Sequence, residues 1–361
     1  MNVVVIAEQL RRAVPGGIGT YVRGLAHGLD SLIADDTAAD RLHVSLHASR
    51  APAPDPLADL GFPVRTSMLP GALLTRAWDR GLPVPLPASA DVLHATSFAA
   101  PWRTRVPLSM MVHDLAWRKV PDAYPRRGRQ WHERALGHAL SGARLFVTPS
   151  TATAGDLVAA GAPAGRVEVV PEGCDHLPPP DRRGATRVLD RHGVSGPYLL
   201  TVSTLEPRKN LPRLLAAYAK ARPRLPDRWP LVVVGPPGWG PEVAPVEGAM
   251  VTGRVTDAVL AGLYAGARCV AYVPLMEGFG LPALEAMAAC VPVVASPMPS
   301  TGDASLEVVP TDEDAIADGL VTAAADERAR AELVTAGLQR ARQLTWAVAA
   351  RRHVELWRSI R

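Results

Sequence analysis

The chain has 361 residues, more than one hydrophobic core usually organises, so two domains of similar size are expected. Hydrophobic residues make up 48% and charged residues 20%, a balance that excludes a disordered or fibrous chain and fits a globular enzyme. The net charge of +4 is too mild to call for nucleic acid, yet it is compatible with an anionic substrate or an anionic membrane surface.

The N-terminus, Met1 to Glu8, lacks a basic lead and a small-residue cleavage site, so it reads as a first strand rather than a signal peptide. No run approaches the roughly 18 apolar residues of a bilayer span. Short β-branched runs then alternate with alanine- and leucine-rich stretches to the end of the chain, which predicts parallel α/β architecture. In the first half, strands are predicted over 3–7, 42–48, 64–68, 92–94, 108–112, 145–148 and 167–170.

Between the first strand and first helix stands Pro15-Gly16-Gly17-Ile18-Gly19. Gly16 and Gly17 would let backbone N–H groups approach a phosphate or sugar, although a plain turn explains the pair equally well. A dinucleotide fingerprint would need a third glycine where Val22 stands. His113 and Asp114 follow the strand over 108–112, where a parallel sheet presents its ligand-binding end. A structural histidine is an equal reading of His113 taken alone. Further on, Arg126, Arg127, Arg129 and Arg134 surround Trp131 on a predicted helix. A solvated face is the commoner meaning of such a run, and a surface for an acidic acceptor or anionic lipid is the sharper one.

Leu177-Pro178-Pro179-Pro180-Asp181 cannot continue a helix or a central strand and is the expected linker. It divides the chain into a domain over 1–180, a second over 181–345, and a C-terminal helix over 346–361 that is free to cross back to the first. In the second half, strands are predicted over 198–202, 231–234, 250–252, 269–273 and 291–295. Arg208 and Lys209, just after the first of these, join a planar fork to a point charge, a pair suited to a diphosphate. As mere surface cations at a helix start they would oppose the macrodipole.

The most informative segment is Glu277-Gly278-Phe279-Gly280-Leu281-Pro282-Ala283-Leu284-Glu285, between a strand end and a helix start. Free N–H groups there favour an anion, while the two carboxylates favour hydroxyl groups, so a ligand carrying both phosphate and sugar is expected. Asp312-Glu313-Asp314 has a spacing that binds divalent cations in some sugar transferases, but as the acidic first turn of a helix it reads as a cap. Cys174, Cys269 and Cys290 are too scattered for a metal site or a disulfide framework, and they point to a reducing cytoplasm.

Together these stretches resemble the retaining nucleotide-sugar glycosyltransferases of family 4 (glycosyl transferases group 1), and among them the mannosyltransferase-like members. The likeness is carried by Gly16 to Gly19, Val112 to Leu115, Thr148 to Ser150, Val169 to Gly173, Glu206 to Asn210, Val234 to Trp239 and Glu277 to Met287. It implies a GT-B fold, two doubly wound Rossmann-like domains facing across a cleft, and transfer of a hexose from a nucleotide-sugar to an acceptor hydroxyl. Mannose from GDP-mannose is the first expectation, with neither metal nor other cofactor. An epimerase of the same fold and a catalytically quiet scaffold subunit are the alternatives.

The resemblance also implies roles. Glu285 would accept ribose hydroxyls, Arg208 and Lys209 would neutralise the diphosphate, and Gly278, Phe279, Gly280 and Leu281 would bind phosphates and the transferred sugar. Glu277 would be left to read sugar hydroxyls, His113 would meet the donor sugar, and Gly16 with Gly17 would line the acceptor side. The acceptor itself stays open among a lipid-linked saccharide, a lipid and a small metabolite. A cytoplasmic protein is expected, with peripheral contact at the inner membrane face open to it. Three positions depart from the family pattern: Ser203 and Cys290 stand at usual glycines, and the segment 296–303 is short and lacks a common glutamate.

Overall fold

The computed structural model describes residues 1–34, 42–50, 54–83, 85–240 and 244–361. They form two compact units, the first Met1–Arg118, Pro125–His176 and Thr345–Arg361, the second Lys119–Tyr124 and Leu177–Leu344.

The first unit is built on a seven-stranded sheet of β1 (Asn2–Ile6), β2 (His43–Arg50), β3 (Val64–Pro70), β4 (Val92–Ala95), β5 (Leu108–Met111), β6 (Leu145–Thr148) and β7 (Val167–Val169). Its order is β3-β2-β1-β4-β5-β6-β7, and every pairing is parallel. A parallel sheet is covered on both faces, which is why β1 reads as an unbroken apolar run, with Val3, Val4, Val5 and Ile6 all buried. The helices between the strands are α1 (Gly16–Ala34), α2 (Gly71–Asp79), α3 (Ala116–Lys119), α4 (Arg126–Gly142) and α5 (Thr151–Ala159). Ser150 starts α5 by accepting the Thr153 N–H, an ordinary serine cap.

The second unit repeats the plan with six strands, β8 (Leu199–Val202), β9 (Leu231–Val234), β10 (Ala249–Gly253), β11 (Cys269–Tyr272), β12 (Val293–Ala295) and β13 (Leu306–Glu307). Their order is β10-β9-β8-β11-β12-β13, again all parallel. Its helices are α6 (Arg182–Arg191), α7 (Leu211–Ala221), α8 (Asp257–Gly266), α9 (Leu281–Ala288), α10 (Glu313–Ala325) and α11 (Glu327–Gln343). All twelve strands expected from the sequence are present. The one expected over 291–295 starts at Val293, because Pro292 has no N–H to give to a ladder. The unpredicted β13 is two residues long, too short to show a period.

The last helix, α12 (Trp346–Ile360), belongs to the first unit and packs on α1. Two glycines on α1 make that approach possible. A Cβ on Gly24 would fall 1.9 Å from the Trp346 ring, and one on Gly28 would fall 2.2 Å from the Trp346 carbonyl oxygen.

In the second unit, α9 ends in a Schellman turn: Val291 N–H returns to the Ala286 carbonyl and Cys290 N–H to the Met287 carbonyl. Cys290 sits there at φ +61°, in the left-handed region that costs a residue with a Cβ about 1 kcal/mol relative to glycine.

Candidate functional site

In each sheet the order of connection reverses beside the first strand, between β1 and β4 and between β8 and β11. Ligands of doubly wound folds bind beyond the carboxyl ends of strands at such points. The loops that leave β8 and β11 are the ones carrying Glu206, Arg208, Lys209 and Glu277.

Local chemistry joins these two loops. After β8 the chain makes a tight turn over Pro207–Lys209, closed by Asn210 at φ +61°. Asparagine tolerates that conformation better than most residues. Here the Asn210 side-chain amide also donates to the carbonyls of Val273, at 3.0 Å, and Pro310, at 2.7 Å, so the strained residue is held from two sides. In return, the Leu275 N–H donates to the Arg208 carbonyl at 2.9 Å.

Between the loops lies a compact charge cluster. Glu277 Oε1 accepts from Arg208 Nη1 at 3.1 Å, Lys209 Nζ at 2.5 Å and the Tyr272 hydroxyl at 3.1 Å. Arg208 also donates through Nε and Nη2 to Glu206 Oε1 and through Nη1 to the Met276 carbonyl. The Arg208, Lys209 and Glu277 side chains are only 13%, 12% and 10% exposed, so these charges interact with little screening. Burial works against ionised Glu277, but the Arg208 and Lys209 charges and the Lys209 and Tyr272 hydrogen bonds hold its carboxyl below the usual range. Burial pushes Glu206 the other way, above it. Glu277 is therefore not left to hydroxyls alone, as its sequence setting suggested. One of its oxygens is the counter-ion of both cations.

The glycine stretch lies directly beyond. Gly278, Phe279, Gly280 and Leu281 are buried, and no acceptor among the described residues takes the N–H groups of Phe279, Gly280 or Leu281. Gly280, at φ +102°, admits no side chain, because a Cβ would meet Met298 Sδ at 2.4 Å and Ser300 Oγ at 2.9 Å. The short 296–303 segment thus braces the loop, since Ser300 donates its hydroxyl to the Gly280 carbonyl and its N–H to the Phe279 carbonyl. Farther along α9, buried Glu285 accepts the Tyr264 hydroxyl on Oε2 at 2.8 Å.

His113 and Gly16–Gly17 belong to the first unit. His113 Nδ1 lies 3.1 Å from Glu172 Oε1, and Nε2 lies 3.0 Å from the Thr96 carbonyl oxygen. Both ring nitrogens face acceptors, so the geometry is that of an imidazolium donating twice. Burial opposes that charge, but Glu172, the Thr96 carbonyl and Asp114 outweigh it and raise the His113 pKa. A raised pKa stabilises the fold fully below the unfolded value, about 6.5, and that stabilisation is lost as pH climbs through the folded value. His113→Gln should accordingly cost about 1.5 kcal/mol at pH 6 and progressively less toward pH 9. Thermal melts of both proteins across that range check it; a gap that does not change with pH would mean His113 is neutral.

Gly16 and Gly17 open α1, are exposed, and have nothing within 4 Å of where a Cβ would stand. One turn on, the Tyr21 ring meets His113 edge-on at 5.0 Å. The Tyr21 hydroxyl lies 2.9 Å from both His94 Nε2 and His353 Nε2. His353 Nδ1 donates to the Ala349 carbonyl, so its Nε2 accepts a hydrogen bond from the Tyr21 hydroxyl, while His94 donates to Tyr21 and accepts from Ser109. Burial lowers the pKa of His353 to about 4 and that of His94 well below its usual value, which keeps the set neutral.

Of the remaining sequence candidates, Asp312 and Asp314 are structural. Asp312 caps α10 by accepting the N–H groups of Asp314 and Ala315, and Asp314 pairs with Lys220. Among the described residues no group of His, Cys, Asp and Glu is arranged to hold a metal ion. Trp131 donates to Asp79 of α2 at 3.1 Å, while Arg126, Arg127 and Arg134 of α4 stay exposed. No helix among the described residues is long and apolar enough to cross a membrane.

Sequence reasoning missed Tyr272, Asn210 as a clamp and Glu172 as the partner of His113. Glu172 and Asn210 stood inside motifs already singled out. Tyr272 was hidden in an apolar strand, where a tyrosine looks like core.

Residues 15–176 match the model of Glycosyltransferase Family 4, and residues 196–326 match that of Glycosyl transferases group 1. The chain is 32% identical over 271 residues to O-antigen chain mannosyltransferase B of Escherichia coli, covering 71% of each protein. It is 28% identical over 257 residues to the GDP-mannose-dependent alpha-(1-6)-phosphatidylinositol monomannoside mannosyltransferase of Mycolicibacterium smegmatis, covering 64% of each. Its fold is similar to that of Anabaena HepE, solved with UDP and glucose, with a TM-score of 0.74 at 18% identity over 99% of this chain and 100% of that one.

Proposed function

Because the chain belongs to the family 4 glycosyltransferases of group 1, we propose that it transfers a hexose, mannose from GDP-mannose first, with retention of configuration and without a metal. The observation that carries this reading is the Arg208–Lys209–Glu277 cluster at the β8/β11 reversal, beside the unbonded N–H groups of Phe279, Gly280 and Leu281. Such a site offers a diphosphate two fixed cations and a row of donors, which is the charge a metal ion supplies elsewhere. Mannose is favoured because relatives covering most of the chain are named mannosyltransferases.

In the reaction the bond from the anomeric carbon to the phosphate oxygen breaks and a bond to the acceptor oxygen forms on the same face. The acceptor proton passes to the departing phosphate, so the products are a glycoside and a nucleoside diphosphate. Lys209 meets the charge that grows on the diphosphate, Glu277 offers its second oxygen to the sugar, and Glu285 accepts from the ribose. His113 is assigned a part in transfer, and Gly16 and Gly17 the acceptor side. The exposed Arg126, Arg127 and Arg134 support an acceptor presented at an anionic membrane surface.

Thermal shift with GDP-, UDP-, ADP- and dTDP-sugars tests the donor. GDP-mannose at about a hundred times its Kd should stabilise the protein by about 2.7 kcal/mol, and Glu285→Ala should shrink that shift. Incubating GDP-mannose with acceptor candidates should give mannoside at equal rates with and without chelator. A shift with UDP-sugars only would overturn the donor assignment, and activity abolished by chelator would overturn metal independence.

A further inference from the structure

Lys209 and Glu277 sit on loops, but a further residue bonded to both does not. Tyr272 is the last residue of β11, paired with Ala295 of β12, and its ring is buried. Its hydroxyl lies 2.8 Å from Lys209 Nζ and 3.1 Å from Glu277 Oε1, and Nζ stands 5.4 Å from the centre of its ring. We propose that Tyr272 is a positioning residue that fixes the direction of the Lys209 ammonium and of the Glu277 carboxylate for the donor, a role that rests on the donor-site reading above.

The argument is one of hydrogen-bond capacity. An ammonium group has three N–H bonds in tetrahedral array. One goes to Glu277 Oε1 and one to the Tyr272 oxygen, and two fixed directions determine the third. Without the hydroxyl, Nζ keeps one anchor and can swing about it. Burial, reinforced by the Glu277 charge, keeps the phenol protonated, so Tyr272 donates to Glu277 while it accepts from Lys209. All three bonds to Glu277 then converge on Oε1, and no hydrogen bond among the described residues goes to Oε2. The arrangement presents one ammonium N–H and one carboxylate oxygen from a rigid strand end. Sites anchored on strands hold geometry better than sites on loops alone.

Tyr272→Phe keeps the ring and its volume and removes only the shared hydroxyl. It should lower kcat about tenfold while donor KM stays within about twofold, because a misdirected ammonium fails the transition state more than the bound donor. In a Lys209→Ala background the same substitution should change kcat by less than twofold, since the ammonium it directs is gone and Arg208 still holds Glu277 Oε1. A parental kcat in Tyr272→Phe, or losses that multiply in the double variant, would overturn the positioning role while Lys209→Ala still upholds the donor site. An unaffected Lys209→Ala would overturn the donor-site reading and this role with it.

Discussion

Lys209→Ala is expected to lower kcat by 100- to 1000-fold, about 2.7–4 kcal/mol of transition-state stabilisation, with a much smaller change in donor KM. In the proposed transfer, charge on the diphosphate rises as its bond to the sugar breaks, so a cation fixed beside it would matter more at the transition state than in the bound donor. The neighbouring arginine is not equivalent. Arg208 already commits four N–H groups to Glu206, Glu277 and the Met276 carbonyl, which makes it chiefly the frame of the cluster. Lys209 Nζ is held by Glu277 and Tyr272 and keeps a third N–H for a ligand. Steady-state kinetics on the purified variant, with its fold checked by melting, would decide the matter. A parental rate would remove Lys209 from the reaction.

The largest effect on stability is expected at the far end of the chain. Trp346 is fully buried, its Nε1 lies 3.1 Å from His176 Nδ1, and its own N–H donates to Asp175 at 2.7 Å. Gly24, Gly28 and Gly173 all come so close to this residue that a Cβ on any of them would collide with it. Trp346→Ala would empty a space that the backbone has been shaped to meet and cannot readily fill. A loss of about 3–5 kcal/mol is expected, read as a lower urea midpoint, together with faster proteolytic release of α12. A loss below about 1 kcal/mol would show that α12 is an appendage and not part of the first unit's core.

How far the sequence reached can be judged from single residues. Val3 to Ile6 announced a strand buried on both faces, and Glu277 to Glu285 announced a strand-to-helix loop, because both signals are local in the chain. Cys290, at a usual glycine position of the family, does stand at a left-handed turn after α9. The linker prolines marked the division only roughly, since Lys119–Tyr124 counts with the second unit. There Trp239 donates to the Ala123 carbonyl across 116 residues of chain.

By itself, then, the sequence determined the alternation of strand and helix, the doubly wound class and the residue types gathered at one strand end, because short-range periodicity and turn chemistry encode these. Only the tertiary structure decided which groups share a proton or a charge. Glu277 as counter-ion to two cations, Tyr272 as their strand-borne anchor, and His113 against Glu172 all depend on partners brought together by sheet order. No spacing along the chain records a strand's neighbour in a parallel sheet, because each crossover is long and its closure is fixed by packing.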